Sequence, residues 1–125
     1  MDKLNNIIIE VETQFLEKES QPEKKRYLFS YTITIKNEGE SAARLLSRHW
    51  TITGETGKEQ IVQGDGVIGQ YPYLAPEQAF SYSSAAMLDT PVGMMQGHYT
   101  MIDDKGEHFD VDIPAFSLSV PQRLH

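Results

Sequence analysis

The sequence predicts an all-β fold, an antiparallel β-sandwich of about seven or eight strands. Three observations carry that expectation. Apolar and polar residues alternate at a period of two along most of the chain, the signature of strands with one buried face. Turn-forming residues interrupt the alternation roughly every 8–12 residues. No stretch of helical length shows an apolar stripe at the period of an α-helix.

Taken in order, Ile7, Ile9, Val11 and Phe15 alternate with Ile8, Glu10, Glu12 and Gln14 and read as a first strand. The polar stretch from Leu16 to Lys25 contains Pro22 and reads as a loop. Tyr27, Phe29, Tyr31, Ile33 and Ile35 share one face of a long second strand, closed by the turn-forming Asn37-Glu38-Gly39-Glu40. A third strand spans Leu45 to Thr53, and Gly54-Glu55-Thr56-Gly57 turns it back into Glu59-Gln60-Ile61-Val62. After a glycine-rich segment, Phe80 to Leu88 reads as a strand ending at Asp89-Thr90-Pro91. Gly97 to Ile102 and His108 to Ile113 form a final pair, extended by Phe116, Leu118 and Val120. Pro114 has no N–H to give a ladder, which places it at an edge or a bulge. Short, regularly punctuated strands fit a sandwich of the immunoglobulin or fibronectin type III kind, with a closed barrel as the alternative.

The 125 residues support one compact domain, 1–125, with 39% hydrophobic side chains and 11 basic against 18 acidic ones. The absence of cysteine excludes disulfides, thiolate metal sites and a thiol nucleophile. No apolar run approaches the ~20 residues of a membrane-spanning helix. The opening Met1-Asp2-Lys3-Leu4-Asn5-Asn6 precedes only three isoleucines, too few for a signal peptide, so a cytoplasmic protein is expected. A net charge of −7 argues against a general nucleic-acid binder.

Four features bear on function. On the third strand, Arg48 has the parity of Leu46, Trp50 and Ile52. If Trp50 points into the sandwich, so does Arg48, unless a bulge intervenes. It then needs a carboxylate or several carbonyls, or a place near the sandwich end with its head in water. Second, Gly64-Asp65-Gly66-Val67-Ile68-Gly69 matches the G-x-G-x-x-G of dinucleotide sites. It runs into Gln70-Tyr71-Pro72-Tyr73-Leu74-Ala75-Pro76, where prolines forbid the helix that would hold a pyrophosphate. Glycines serving positive φ angles in a loop at one end of the sandwich are the better reading. Third, Tyr71 and Tyr73 flank Pro72 in that loop, suited either to a recognition surface or to capping the core.

Fourth, Asp104-Lys105-Gly106 suits a three-residue hairpin loop, which would set Met101 opposite Phe109 and Tyr99 opposite Val111. The other face then carries His98 opposite Asp112, Thr100 opposite Asp110 and Ile102 opposite His108. His98, His108, Asp110 and Asp112 are thereby candidate ligands of a weak divalent-cation site, or simply an acidic face offset by histidines. No nucleophile elbow, P-loop or H-E-x-x-H is present. Ser47 and His49 share a strand face ~6–7 Å apart, too far for direct general-base activation. No catalytic residue is expected.

From Arg44 onward the chain resembles the ApaG family. The resemblance rests on Leu45-Leu46-Ser47-Arg48-His49-Trp50-Thr51-Ile52-Thr53, the glycine motif, Phe80-Ser81-Tyr82-Ser83-Ser84, Gly93 to Met101 and Ile113-Pro114-Ala115-Phe116-Ser117-Leu118. The strand from Tyr27 to Asn37 extends it toward the N-terminus. Gly54, Glu77 and Ala85 depart from the family pattern, the last two where glycine is usual. The resemblance implies a fibronectin-III-like sandwich in a stand-alone bacterial protein, with an indirect link to cobalt and magnesium tolerance. The domain also resembles a module of eukaryotic F-box proteins and of a DNA-polymerase-delta-interacting protein, which implies a role in protein interaction.

The expected function is a non-enzymatic protein-interaction module without cofactor, a divalent-cation-binding accessory protein being the alternative. Its contact region is expected at Ser47, His49, Gly64, Asp65, Gly66, Gly69, Tyr71 and Tyr73. The partner would be an unidentified protein rather than nucleic acid or membrane, and the chain a monomer or weak homodimer.

Overall fold

The structure is a computed structural model in which residues 5–121 are described. The signal-peptide reading of Met1 to Leu4 falls on residues outside that range. Eight strands make two antiparallel sheets: β1 (Ile7–Phe15), β2 (Tyr27–Asn37), β3 (Ala43–Gly54), β4 (Glu59–Asp65), β5 (Tyr73–Leu74), β6 (Ala79–Leu88), β7 (Val92–Asp103) and β8 (His108–Ser119). The smaller sheet runs β1-β2-β6, and the larger runs β4-β3-β7-β8 with β5 added to β3 beyond the end of β4. The arrangement is the expected sandwich.

Alternation decides which side of each strand is buried. Phe29, Tyr31, Ile33 and Ile35 of β2 face Leu45, Trp50, Met95, Tyr99 and Leu118 of the larger sheet across the core. Trp50 is 2% exposed, and its indole meets Tyr31, Tyr99 and Phe116 edge-on at 5.4, 6.4 and 5.9 Å between centroids. Such T-shaped contacts suit the quadrupoles of the rings. Tyr82 of β6 and Tyr99 of β7 satisfy each other through hydroxyls 2.6 Å apart in the middle of this layer. Burial pushes the Tyr82 hydroxyl up to about 12 and raises that of Tyr99 as well.

Two bulges redirect strands. One falls between Leu45 and Ser47 where β3 pairs with β7, so Leu46 is the extra residue. Leu45, not Leu46, therefore shares the buried side with Trp50, which corrects the parity expected for Leu46. The other falls where Gly97 pairs with Ile113 but Met95 with Phe116. Pro114 lies inside it and on the edge strand β8, where its missing N–H is harmless.

Three elements exceed the expectation. β7 begins at Val92 rather than Gly97, because Gly93 lowers the apparent strand propensity while its missing side chain admits Leu88 of β6 and the Thr53 carbonyl. The short β5 forms although only two residues pair. A single 3-10 turn over Pro22–Lys24 stands within the expected loop. Buried Asn37 organises the turn after β2: its side-chain amide donates to the carbonyls of Ser41 and Leu74, and its oxygen accepts from Gly39 N–H. The sandwich is closed on one side, where β1 lies against β8. On the other side a cleft separates β4 from β6.

Candidate interaction surface

The glycine motif is shaped by the β3 bulge. Leu46, displaced from the ladder, presents its carbonyl to Gly66 N–H at 2.8 Å, and Leu45 N–H donates to Pro72 O at 2.9 Å. The chain thus leaves β4 at Asp65, loops around the bulge and rejoins β3 through β5, where Tyr73 pairs with Arg44. No helix follows Gly69, so the positive helix terminus that holds a pyrophosphate is not part of this loop.

The three glycines have three different reasons. Gly64 lies within β4 without a positive φ, which corrects the expectation for that residue. A Cβ there would come within 2.9 Å of the Arg48 guanidinium. Gly66 has φ +64, and a Cβ would strike the Gln70 carbonyl at 2.4 Å. Gly69, at φ +77, closes a tight two-residue turn whose ends, Val67 and Gln70, exchange both backbone hydrogen bonds at 2.8 and 2.9 Å.

Arg48 does point to the Trp50 side and is answered by carbonyls. Its Nη1 donates to Asp65 O at 3.1 Å and Gly66 O at 2.8 Å. The arginine therefore clamps the loop onto β3. Val67 is wholly buried and plugs the end of the core, which fixes the loop from the inside.

What this rigid loop presents is apolar. Ile68 is 54% exposed, and Tyr71 and Tyr73 are each 48% exposed. Ile68 holds φ +43, a conformation in which a β-branched residue is strained by roughly 1–2 kcal/mol. Arg44 secures the tyrosines: its Nη1 donates to Tyr71 O at 3.0 Å, and its guanidinium stacks over the Tyr73 ring at 5.1 Å. The Tyr73 hydroxyl donates to Asp104 Oδ1 at 3.0 Å, and that carboxylate raises the hydroxyl's pKa above its ordinary value. Tyr73 is thus a fixed strut between β5 and the β7–β8 hairpin, whereas Tyr71 and Ile68 offer free surface. Ile68, Arg44 and Asp104 are not among the contact residues expected from sequence. The legible signal for Ile68 was a β-branched residue directly before the glycine of a two-residue turn.

Ser47 and His49 stand half-buried on the outer face of the larger sheet, Ser47 paired with Asp65 and His49 with Gln63. They adjoin the loop through Asp65. Across the sheet His49 pairs with His98, and the rings stack at 5.1 Å with planes 10° apart.

The β7–β8 register is the expected one, from Met101 opposite Phe109 to His98 opposite Asp112, with Gly106 at φ +83 in the loop. The four candidate ligands are nonetheless dispersed. His108 pairs with Ile102, four residues up β7 from His98, or about 13 Å at the strand rise. Asp110 accepts a hydrogen bond from Thr100 Oγ1 at 2.9 Å, and His98 turns its face to His49. Among the described residues no three His, Asp or Glu side chains converge as metal ligands. The expected patch of His98, His108, Asp110 and Asp112 is thus a shared sheet face and not a chelating cluster.

Fold and surface together define a two-sheet antiparallel β-sandwich that carries a clamped, apolar-tipped loop at one end. The ApaG domain family matches residues 17–103 of the chain. The chain is 47% identical to Protein ApaG of Citrobacter koseri and 46% identical to Protein ApaG of Escherichia coli K12, in each case over 119 residues and 95% of both chains. The crystal structure of the ApaA protein from Bordetella pertussis superposes with a TM-score of 0.94 at 37% identity, covering 98% of this chain and 100% of that one. An X-ray structure of a Northeast Structural Genomics Consortium target gives 0.89 at 50% identity, covering 95% and 90%. The chain belongs to the ApaG family. Among the described residues no helix is long and apolar enough to cross a membrane.

Proposed function

We propose that the protein is a non-enzymatic interaction domain that docks a protein partner through Ile68, Tyr71 and the Arg44–Tyr73 stack. The observation that carries this reading is Ile68. A turn needed only to connect strands would place Asn or Gly at that positive φ. Here an exposed, β-branched apolar side chain stands there instead. Unlike the polar Lys25 and Glu77, which also hold a positive φ, it combines that strain with an uncovered apolar tip, and the combination points to function. The neighbouring polar shelf of Ser47, His49 and His98 supplies a rim. A link to cobalt and magnesium tolerance, as the family resemblance implies, would run through the partner.

The experiment is affinity capture from native lysate, with and without chelator, by the wild-type chain and by Ile68→Asn. Asn-Gly is the favoured pair for this turn, so the variant keeps the fold while deleting the apolar tip. A stoichiometric partner held by the wild type in both conditions and lost by Ile68→Asn is the expected result. A partner retained equally by the variant, or held only when metal is present, would refute the reading.

A further inference from the structure

The open side of the sandwich holds a cleft of about 440 Å³ between β4 and β6. Its walls include Tyr31, Ile52, Val62, Ala86 and Met87, with Trp50 and Arg48 at one end. A second hollow of about 380 Å³ shares Ile52, Gln60 and Met87 with the first and prolongs it toward Lys58. Together they are within the size range of small-molecule sites.

Arg48 keeps spare donors at the larger cleft, whereas the nearby Trp50 Nε1–H is sealed from it. Trp50 Nε1–H is buried and has no hydrogen-bond partner among the described residues. Arg48 has five N–H donors. Nη1 serves the carbonyls of Asp65 and Gly66, and no described protein group accepts from Nε or Nη2. No carboxylate pairs with Arg48 either, the one described ion pair being Lys36 with Glu38.

The charge is equally one-sided. In a chain of net charge −7, the only charged residue among the described residues lining the larger cleft is this arginine, while the second hollow mixes Lys25 and Lys58 with Glu59 and Asp89. A cationic fork above apolar walls calls for a ligand with one planar anionic head and a hydrocarbon body. A phosphate dianion would leave most of its oxygens without donors here.

We infer that the β4–β6 cleft binds a small monocarboxylate with an aliphatic or aromatic body, its head held by Arg48 and its tail lying along Ile52 and Met87. This site is separate from the loop surface of the proposed function.

Trp50 is the sole tryptophan, so its fluorescence and its single indole N–H resonance report on the cleft directly. The probes are octanoate and 4-phenylbutyrate, each against its uncharged amide, titrated into the full chain at neutral pH. The expected result is a saturable shift of the indole N–H as the ligand fills the cleft beside the ring, with carboxylates binding about tenfold or more tightly than amides. Arg48→Gln should weaken carboxylate binding by a similar factor and bring it level with the amide. Because Arg48 also clamps the loop, Ser84→Phe serves as a second variant that fills the cleft from β6 and should abolish binding of both probes. Three outcomes would overturn the inference: no saturable shift up to roughly 10 mM ligand, equal affinity for acid and amide, or undiminished binding to Ser84→Phe.

Discussion

Glu77 occupies a position that the backbone reserves for glycine, and replacing it with glycine should stabilise the protein. Ala75-Pro76-Glu77-Gln78 is a β-turn closed by Gln78 N–H donating to Ala75 O at 3.0 Å, with Glu77 at φ +73. Proline at the second position and a positive φ at the third describe a type II turn, in which glycine is the unstrained third residue. The turn is held in place regardless, because Glu77 N–H donates to Asn37 O at 2.7 Å and Ala75 N–H donates to Gln78 Oε1 at 2.9 Å. Relief of the left-handed strain is worth roughly 1–2 kcal/mol. The greater freedom of glycine in the unfolded chain takes back about 0.5–1 kcal/mol. The Glu77 side chain is exposed and makes no hydrogen bond or ion pair among the described residues, so its loss adds nothing there. The net gain is about 0.5–1 kcal/mol, or roughly 2–4 °C for a chain of this length. Urea unfolding followed by Trp50 fluorescence measures it, with Glu77→Ala as the control that removes the side chain but keeps the strain. If Glu77→Gly is no more stable than Glu77→Ala, the strain argument is wrong.

A Cβ on Gly97 would lie 1.9 Å from the His49 carbonyl oxygen, so Gly97→Ala must part β3 from β7 beside Trp50. It should cost about 3 kcal/mol or more by denaturant titration, against about 1 kcal/mol for Gly106→Ala, where only the positive φ matters. Tyr82→Phe should cost about 1–3 kcal/mol by orphaning the Tyr99 hydroxyl, and the Tyr82→Phe, Tyr99→Phe double variant should cost less than the sum of the two single changes. Both hydroxyls have pKa values raised in the fold, so the stability they contribute is complete below pH ~10 and is lost as pH rises toward and past about 12. Urea midpoints measured from pH 8 upward should be flat in this respect to about 10 and then fall. Trp50→Ala should cost about 3–5 kcal/mol, and wild-type emission should be well to the blue of free tryptophan.

Sequence alternation was enough to place the two long core strands, because β2 and β6 keep strict parity from end to end. It failed where backbone geometry, not side-chain type, carries the information. The bulge at Leu46 swaps the faces of Leu45 and Leu46, and neither residue differs chemically from the other. The start of β7 was obscured by Gly93, whose role is to admit a neighbour. At the candidate surface, the prolines after Gly69 correctly denied a nucleotide-binding helix, and Tyr71 and Tyr73 were visible as aromatics in a loop. Ile68 was hidden because its significance lies in a φ angle. The hairpin register was legible from one three-residue loop, yet register alone could not show that His98 faces His49 and that His108 sits at the far end of the face.

The order of strands in the smaller sheet has a consequence for synthesis. Its first two strands end at residue 37, but the third is not complete until Leu88. At about 5–20 residues per second, the β1–β2 hairpin waits roughly 3–10 s for β6. A two-stranded hairpin is marginal on its own in water, and this one carries Phe29, Tyr31, Ile33 and Ile35 on an uncovered face. Nascent chains in that interval expose this apolar face to solvent, and chains that stop short of Leu88 have no third strand to complete the sheet.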